Sequence, residues 1–208
     1  IAIVGAGRTD TGVHAQQMWA HFNCSTSFLR EALIHRLNRF LPTDIAIKQI
    51  RPVPAEAHAR FDAVKRTYEY RISTQKNPYL VNYTYHLEQI PDIEAMNNAA
   101  KQLLKHNDFK CFSKSKTDVH TFNCNIDLAF WEIRENTLIF TIRANRFLRN
   151  MVRAIVGTLL EVGFGKCSQT DFTTILKSGN RSKAGPSVPA SGLFLTEVTY
   201  PKHILEYE

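Results

Sequence analysis

Residues that could do chemistry appear first in a glycine-rich run near the start of the chain, Gly5-Ala6-Gly7-Arg8-Thr9-Asp10-Thr11-Gly12. Its glycine spacing fails the dinucleotide fingerprint, and no Lys-Ser or Lys-Thr pair follows to make a phosphate loop. What the run does offer is a short carboxylate, Asp10, at the tip of a turn that flanking glycines allow to be sharp, with His14 just beyond it. Ionised, that carboxylate can serve as an anionic nucleophile or base. The alternative is that Asp10 only caps its own turn through an Asx hydrogen bond.

A second signal lies in Arg146-Phe147-Leu148-Arg149-Asn150-Met151-Val152-Arg153-Ala154-Ile155-Val156-Gly157. Read as a helix at about 100° per residue, this segment places Arg146, Arg149 and Arg153 within about 60° of one another. Leu148, Met151, Val152, Ile155 and Leu159 gather on the other side. Arg143 extends the stripe upstream, and no acidic residue lies between Arg143 and Arg153 to neutralise it. Forked guanidinium donors suit phosphate oxygens, so the stripe points to phosphate contact. A third signal is Tyr68, set among Arg60, Lys65, Arg66 and Arg71, because aromatics interleaved with basic side chains resemble the stacking surfaces of RNA-binding sheets.

These residues need elements to hold them. Residues 1 to 25 read as strand, turn and strand; Ser27 to Leu41 as a helix carrying Leu29, Leu33, Leu37 and Phe40; Ile45 to Ile50 as a strand. Arg51-Pro52-Val53-Pro54 is the best linker candidate, which divides the chain into residues 1–54, carrying the glycine-rich loop, and residues 55–208. Beyond it, Arg66 to Ile72 alternates as a strand with Tyr68, Tyr70 and Ile72 on one face. A helix from Pro91 to His106, strands Ile126 to Ile133 and Thr137 to Ala144 joined at Glu135-Asn136, the helix at 146–161, a loop from Lys183 to Ser191 and a strand from Gly192 to Tyr200 complete the chain. Hairpin-joined strands with helices between them predict an α+β protein built on antiparallel sheet.

Composition sets the outer bounds. The chain has 208 residues, 44% hydrophobic and 22% charged, which excludes a disordered tail or a collagen-like fibre. No stretch approaches the about 18 consecutive apolar residues of a membrane helix. Twenty-six Lys and Arg against nineteen Asp and Glu give +7, a balance that suits a polyanionic partner, nucleic acid first. Cys24, Cys111, Cys124 and Cys167 form no CxxC pair and read as reduced thiols of a cytoplasmic protein. Cys111, His120 and Cys124 match no familiar zinc spacing, and no metal is implied. The opening Ile1-Ala2-Ile3-Val4-Gly5, without Met or a basic leader, reads as a chain whose true beginning is missing.

Together the signals resemble one family. Gly7-Arg8-Thr9-Asp10-Thr11-Gly12-Val13-His14-Ala15 is similar to the signature of the tRNA pseudouridine synthase A family. Phe61 through Tyr70 resembles its tyrosine strand, Asp108-Phe109 through Phe112 its DF-x-x-F turn, and Phe147 through Gly157 its FLxxMVRxIVG helix. Gly185-Pro186-Ser187 and Gly192-Leu193-Phe194-Leu195 resemble its last loop and strand. The resemblance implies a pseudouridine synthase fold, α+β, of two RRM- or ferredoxin-like halves with mainly antiparallel sheets flanked by helices. It implies isomerisation of uridine to pseudouridine on the 3′ side of the tRNA anticodon stem-loop, without a cofactor, by a homodimer whose two subunits both touch tRNA.

By match to the motifs, Asp10 is the essential carboxylate, nucleophile or base at the ribose. Tyr68 stacks on the target base and can help remove the C5 proton, Arg153 pairs with Asp10, Arg8 helps flip the uridine out, and Leu193 packs against a base. Arg143, Arg146 and Arg149 would hold stem phosphates. Two departures stand out. No Tyr-Asp-Gly-Thr-type segment precedes the first motif, so about one strand and one helix of the first half are expected to be absent. The last loop reads Ser187-Val188-Pro189 where the family more often has Thr-Ala-Pro.

Overall fold

The computed structural model describes residues 1–114 and 119–206. In chain order the elements are β1 (Val4–Gly5), β2 (His14–Ala15), β3 (Ala20–His21), α1 (Arg30–Phe40), β4 (Lys65–Ser73), β5 (Tyr85–His86), α2 (Ile93–Leu103), β6 (Ile126–Arg134), β7 (Thr137–Ala144), α3 (Met151–Gly163), α4 (Gln169–Ser178), β8 (Leu193–Thr199) and α5 (Lys202–Leu205). They make an α+β protein with two compact units. The smaller comprises Ile1–Gly7, Trp19–Ala63 and Tyr200–Glu208; the larger comprises Arg8–Met18 and Val64–Thr199.

In the larger unit, strands run in the order β2-β8-β4-β7-β6, with β5 also paired to β4. The β4–β7, β4–β8 and β6–β7 ladders are antiparallel, while β2 joins β8 in parallel. Alternation on β4 buries Tyr70 and Ile72 completely and leaves Tyr68 half-buried on the same face. The hairpin between β6 and β7 turns at Glu135 and Asn136 with φ of 45° and 64°, the left-handed pair that a two-residue turn requires. Against the Tyr70, Ile72, Phe140 and Ile142 face pack Met96, Ala100 and Leu103 of α2, Met151, Ile155 and Leu159 of α3, and Phe172 of α4. Ser168 and Asp171 close a reciprocal capping box at the start of α4, a helix that the sequence reading passed over.

The smaller unit pairs β1 with β3 and seats Trp19 edge-on against Tyr200, whose hydroxyl donates to the Ala59 carbonyl. Residues 45–50, expected as a strand, form none. Ile47 instead gives its amide to the Asn38 side chain at 2.6 Å and takes the Asn38 amide on its carbonyl at 2.9 Å. That side chain occupies the backbone groups a neighbouring strand would have used.

The expected arginine stripe is also corrected. α3 begins at Met151, not at residue 146, because Asn150 sits at φ 65° and breaks the helical register. Upstream, the Asn145 carboxamide oxygen takes the amides of Asn125 and Arg146 at 2.7 and 2.9 Å, holding this segment as a turn. Only Arg153 of the three lies on the helix. Arg143 lies on β7 and donates to Asp127 of β6 at 2.7 Å, so a cross-strand carboxylate, which Lys65 of β4 also meets, partly offsets a charge that looked unopposed along the sequence.

Candidate active site

The segment around Asp10 is held from both sides. At Gly12 φ is +85°, a left-handed conformation that suits glycine and lets the chain turn directly into β2. β2 then lies beside β8, with His14 opposite Phe194 and the Gln16 amide on the Leu195 carbonyl at 2.8 Å. The His14 ring stacks on Phe194 at 4.7 Å and its Nε2 donates to the Asn82 carbonyl at 2.8 Å. Arg71 covers the Phe194 ring at 3.9 Å. His14 therefore anchors the far end of the loop through stacking and one hydrogen bond.

The turn itself closes through backbone, the Val13 amide donating to the Asp10 carbonyl at 3.1 Å. The Asp10 carboxylate points elsewhere: its Oδ2 accepts from Arg153 Nη1 at 2.9 Å across 143 residues of sequence. Asp10 and Arg153 side chains retain 29% and 21% of their exposure, so the pair is reachable from solvent yet partly desolvated. Arg153 is oriented by a second bond, Nε to the Val188 carbonyl at 2.7 Å. The two bonds fix the guanidinium against the carboxylate, a charge-assisted contact of defined direction.

Tyr68 meets Phe147 edge-on at 5.2 Å and stands close enough to Asp10 to feel its charge. Burial pushes the Tyr68 phenol above its ordinary value, Arg66 opposes that, and Asp10 adds to it. The phenol thus stays protonated at neutral pH. Tyr70, buried behind it and likewise raised chiefly by burial, donates its hydroxyl to the Pro189 carbonyl at 2.8 Å and braces the last loop. Leu193 begins β8 opposite Tyr70 and is 6% exposed, whereas Arg8 is exposed on the loop. Arg149 is exposed and Arg146 half-buried just ahead of α3.

A cavity of about 480 Å³ opens at the Asp10–Arg153 pair and is lined by Asp10, Lys114, Asn150, Arg153 and Arg181. Lys114, Asn150 and Arg181 were not singled out from the sequence, where nothing in their spacing ties them to Asp10. Around the cavity the 184–188 loop is tied down by Arg181, which donates to the carbonyls of Ala184 and Gly185 at 3.2 and 3.1 Å and to Ser187 Oγ at 3.0 Å. Asn150 Nδ2 donates to the same Ser187 oxygen at 2.6 Å, and the Gly185 amide donates to Thr158 Oγ1 at 2.9 Å. The buried thiols of Cys111 and Cys124 are pushed up by burial to about 12 and about 11, which leaves them protonated and poor nucleophiles.

Residues 99–201 match the family model described as tRNA pseudouridine synthase. Over its whole length the chain is 51% identical to a tRNA pseudouridine synthase A of Parabacteroides distasonis, covering 83% of that protein. It is 48% identical to a tRNA pseudouridine synthase A of Bacteroides thetaiotaomicron, again over 100% of this chain and 78% of the relative. A more distant relative of the same name, from Halalkalibacterium halodurans, is 44% identical over 93% of this chain and 74% of its own length.

Proposed function

The chain belongs to the tRNA pseudouridine synthase A family, and from that premise we propose that it isomerises uridine to pseudouridine in tRNA with Asp10 as the essential carboxylate. The observation that carries the assignment is the 2.9 Å contact from Arg153 to Asp10, made by a carboxylate that leaves its own turn to the backbone. In the reaction the bond from N1 to C1′ breaks and one from C5 to C1′ forms. The C5 proton departs and N1 gains one, so substrate and product are isomers and no cofactor is consumed. Asp10 acts at the ribose, either adding to C1′ as nucleophile or removing a ribose proton as base. The target atoms are out of reach inside a stacked helix, so the uridine enters flipped out, helped by Arg8 on the exposed loop.

Tyr68 supplies the stacking face. Burial raises its phenol above the ordinary value, which favours stacking as its main part beside any help with the C5 proton. Leu193 packs beneath the base as an apolar floor. The site of modification is the 3′ side of the anticodon stem-loop, the working form is a homodimer, and the compartment is the cytoplasm where tRNA is met. By family type residues 1–54 and 55–208 are the two halves of the fold, with the Asp10 loop, Arg8–Met18, packing within the larger compact unit.

The test is tritium release from tRNA carrying uridine labelled at C5, followed by mapping of pseudouridine in tRNA from cells with and without the gene. Release with loss of specific anticodon-stem pseudouridines in the deletion supports the reading. Binding without release would mark a non-catalytic tRNA-binding relative, and release from another RNA alone would mark a sister synthase. Phosphate holding is tested separately. Arg146→Ala and Arg149→Ala are each expected to weaken tRNA binding and to reduce the slope of log K against log salt by about one unit. Arg143→Ala, whose charge is partly offset by the Asp127 carboxylate that Lys65 shares, is expected to change the slope less. Slopes left at the wild-type value in all three variants would remove this segment from the tRNA contact.

A further inference from the structure

The cavity beside Asp10 carries more positive charge than the Asp10–Arg153 pair uses. Its lining holds Asp10, Arg153 and Arg181, with Lys114 also on it. Asp10 and Arg153 balance each other at 2.9 Å. Arg181, half-buried, meets only neutral acceptors: two carbonyls and the Ser187 hydroxyl. Those bonds fix the guanidinium in place without cancelling its charge, and no carboxylate among the described residues pairs with it. A partly desolvated, immobilised cation facing a cavity is an electrostatic deficit that an anion can fill.

The hydrogen bonding agrees. The Ser187 oxygen receives donors from both Arg181 Nη2 and Asn150 Nδ2, so its own proton remains for a third partner. A uridine within RNA brings one base, one ribose and the two phosphodiesters joined to that ribose. With Asp10 at the ribose, as the functional reading above requires, the only anionic groups within a nucleotide's reach are those phosphates. We propose that Arg181 and Lys114 form a phosphate subsite that holds a phosphodiester flanking the target uridine, fixing the flipped nucleotide by its backbone while Tyr68 holds the base. The fork of Arg181 supplies direction and Lys114 supplies a second point charge.

A charge-neutral methylphosphonate tests this in a stem-loop RNA containing the target uridine. One RNA carries it at the phosphate 5′ to that uridine. A second carries it 3′, with the adjoining 2′-hydroxyl methylated and binding as the readout. Wild-type protein is expected to lose about ten- to hundredfold in affinity on one of the two RNAs, and for the 5′ RNA in kcat/KM as well. Arg181→Gln is expected to show a similar loss on the unmodified RNA and less than about twofold further loss on the modified one.

Arg181→Lys keeps the charge without the fork and should remain sensitive to the methylphosphonate. Lys114→Gln leaves the Arg181 loop bonds in place and should give the same non-additivity. Losses that multiply independently in both glutamine variants would overturn the proposal, as would wild-type indifference to both methylphosphonates. Absence of tritium release from unmodified RNA would instead count against the functional reading, and the binding cycle would still decide the phosphate contact.

Discussion

Asp10→Asn is expected to abolish tritium release, a loss of at least about 10⁴-fold, while circular dichroism and the tRNA gel shift stay unchanged. Asn has nearly the same size, and its oxygen can still accept from Arg153, so the contact seen at 2.9 Å survives as a neutral hydrogen bond. What is lost is the anion. Because both side chains keep part of their exposure, the stability change is expected to stay within about 1 kcal/mol. Had Asp10 been a turn cap, Asn would replace it well. The carboxylate makes no such cap, since the turn closes from Val13 to the Asp10 carbonyl. Release near the wild-type rate would take Asp10 out of the chemistry.

The second large effect is expected at a residue with no functional group. A Cβ placed on Gly157 would lie 1.7 Å from the Pro186 carbonyl oxygen and 3.0 Å from its carbon. Gly157→Ala must therefore push the 184–188 loop off α3. In an open helix the same change stabilises by about 1 kcal/mol. Here overpacking is expected to win, for a net loss of about 1–3 kcal/mol in urea unfolding. The moving loop includes Val188, whose carbonyl orients Arg153, so kcat/KM is expected to fall about 100-fold as the Asp10–Arg153 geometry slips. A variant more stable than wild type and equally active would show that the loop relaxes freely and does not position the arginine.

Much of the larger unit was legible because its signals are local. Alternation from Arg66 to Ile72 was expected as a strand and β4 runs Lys65–Ser73. The Glu135-Asn136 turn was expected and is present with both residues left-handed. The misreadings share one cause. The start of α3 is set by Asn145 and Asn150, and the absence of a strand at 45–50 accompanies the Asn38 side chain binding Ile47. In each case a side-chain amide competes for backbone groups, and periodicity carries no information about that contest. The opening of α4 did leave a trace, Ser168 three residues ahead of Asp171.

The candidate site divides the same way. Asp10, Tyr68 and Arg153 were reached through motif resemblance, and Arg153 does meet Asp10. The ring of Lys114, Asn150 and Arg181 became visible only once loops distant in sequence were brought to one cavity. Arg143 shows the converse, since a count of acidic neighbours along the chain cannot see Asp127 on the adjacent strand.

The parallel pairing of β2 with β8 also determines when this molecule becomes competent. Asp10 and Arg153 are separated by 143 residues, and closing a loop of that length costs about 4 kcal/mol of chain entropy. Contacts this distant form late, after the nearer β6–β7 and β4–β7 ladders exist to receive them. The strand that anchors the Asp10 loop is β8, Leu193–Thr199, which leaves the ribosome long after that loop does. During synthesis the carboxylate therefore waits without its strand partner, far from the arginine it is to meet. The protein gains its chemistry at the same step that completes its sheet, and a chain interrupted before β8 holds every motif up to that point and no assembled site.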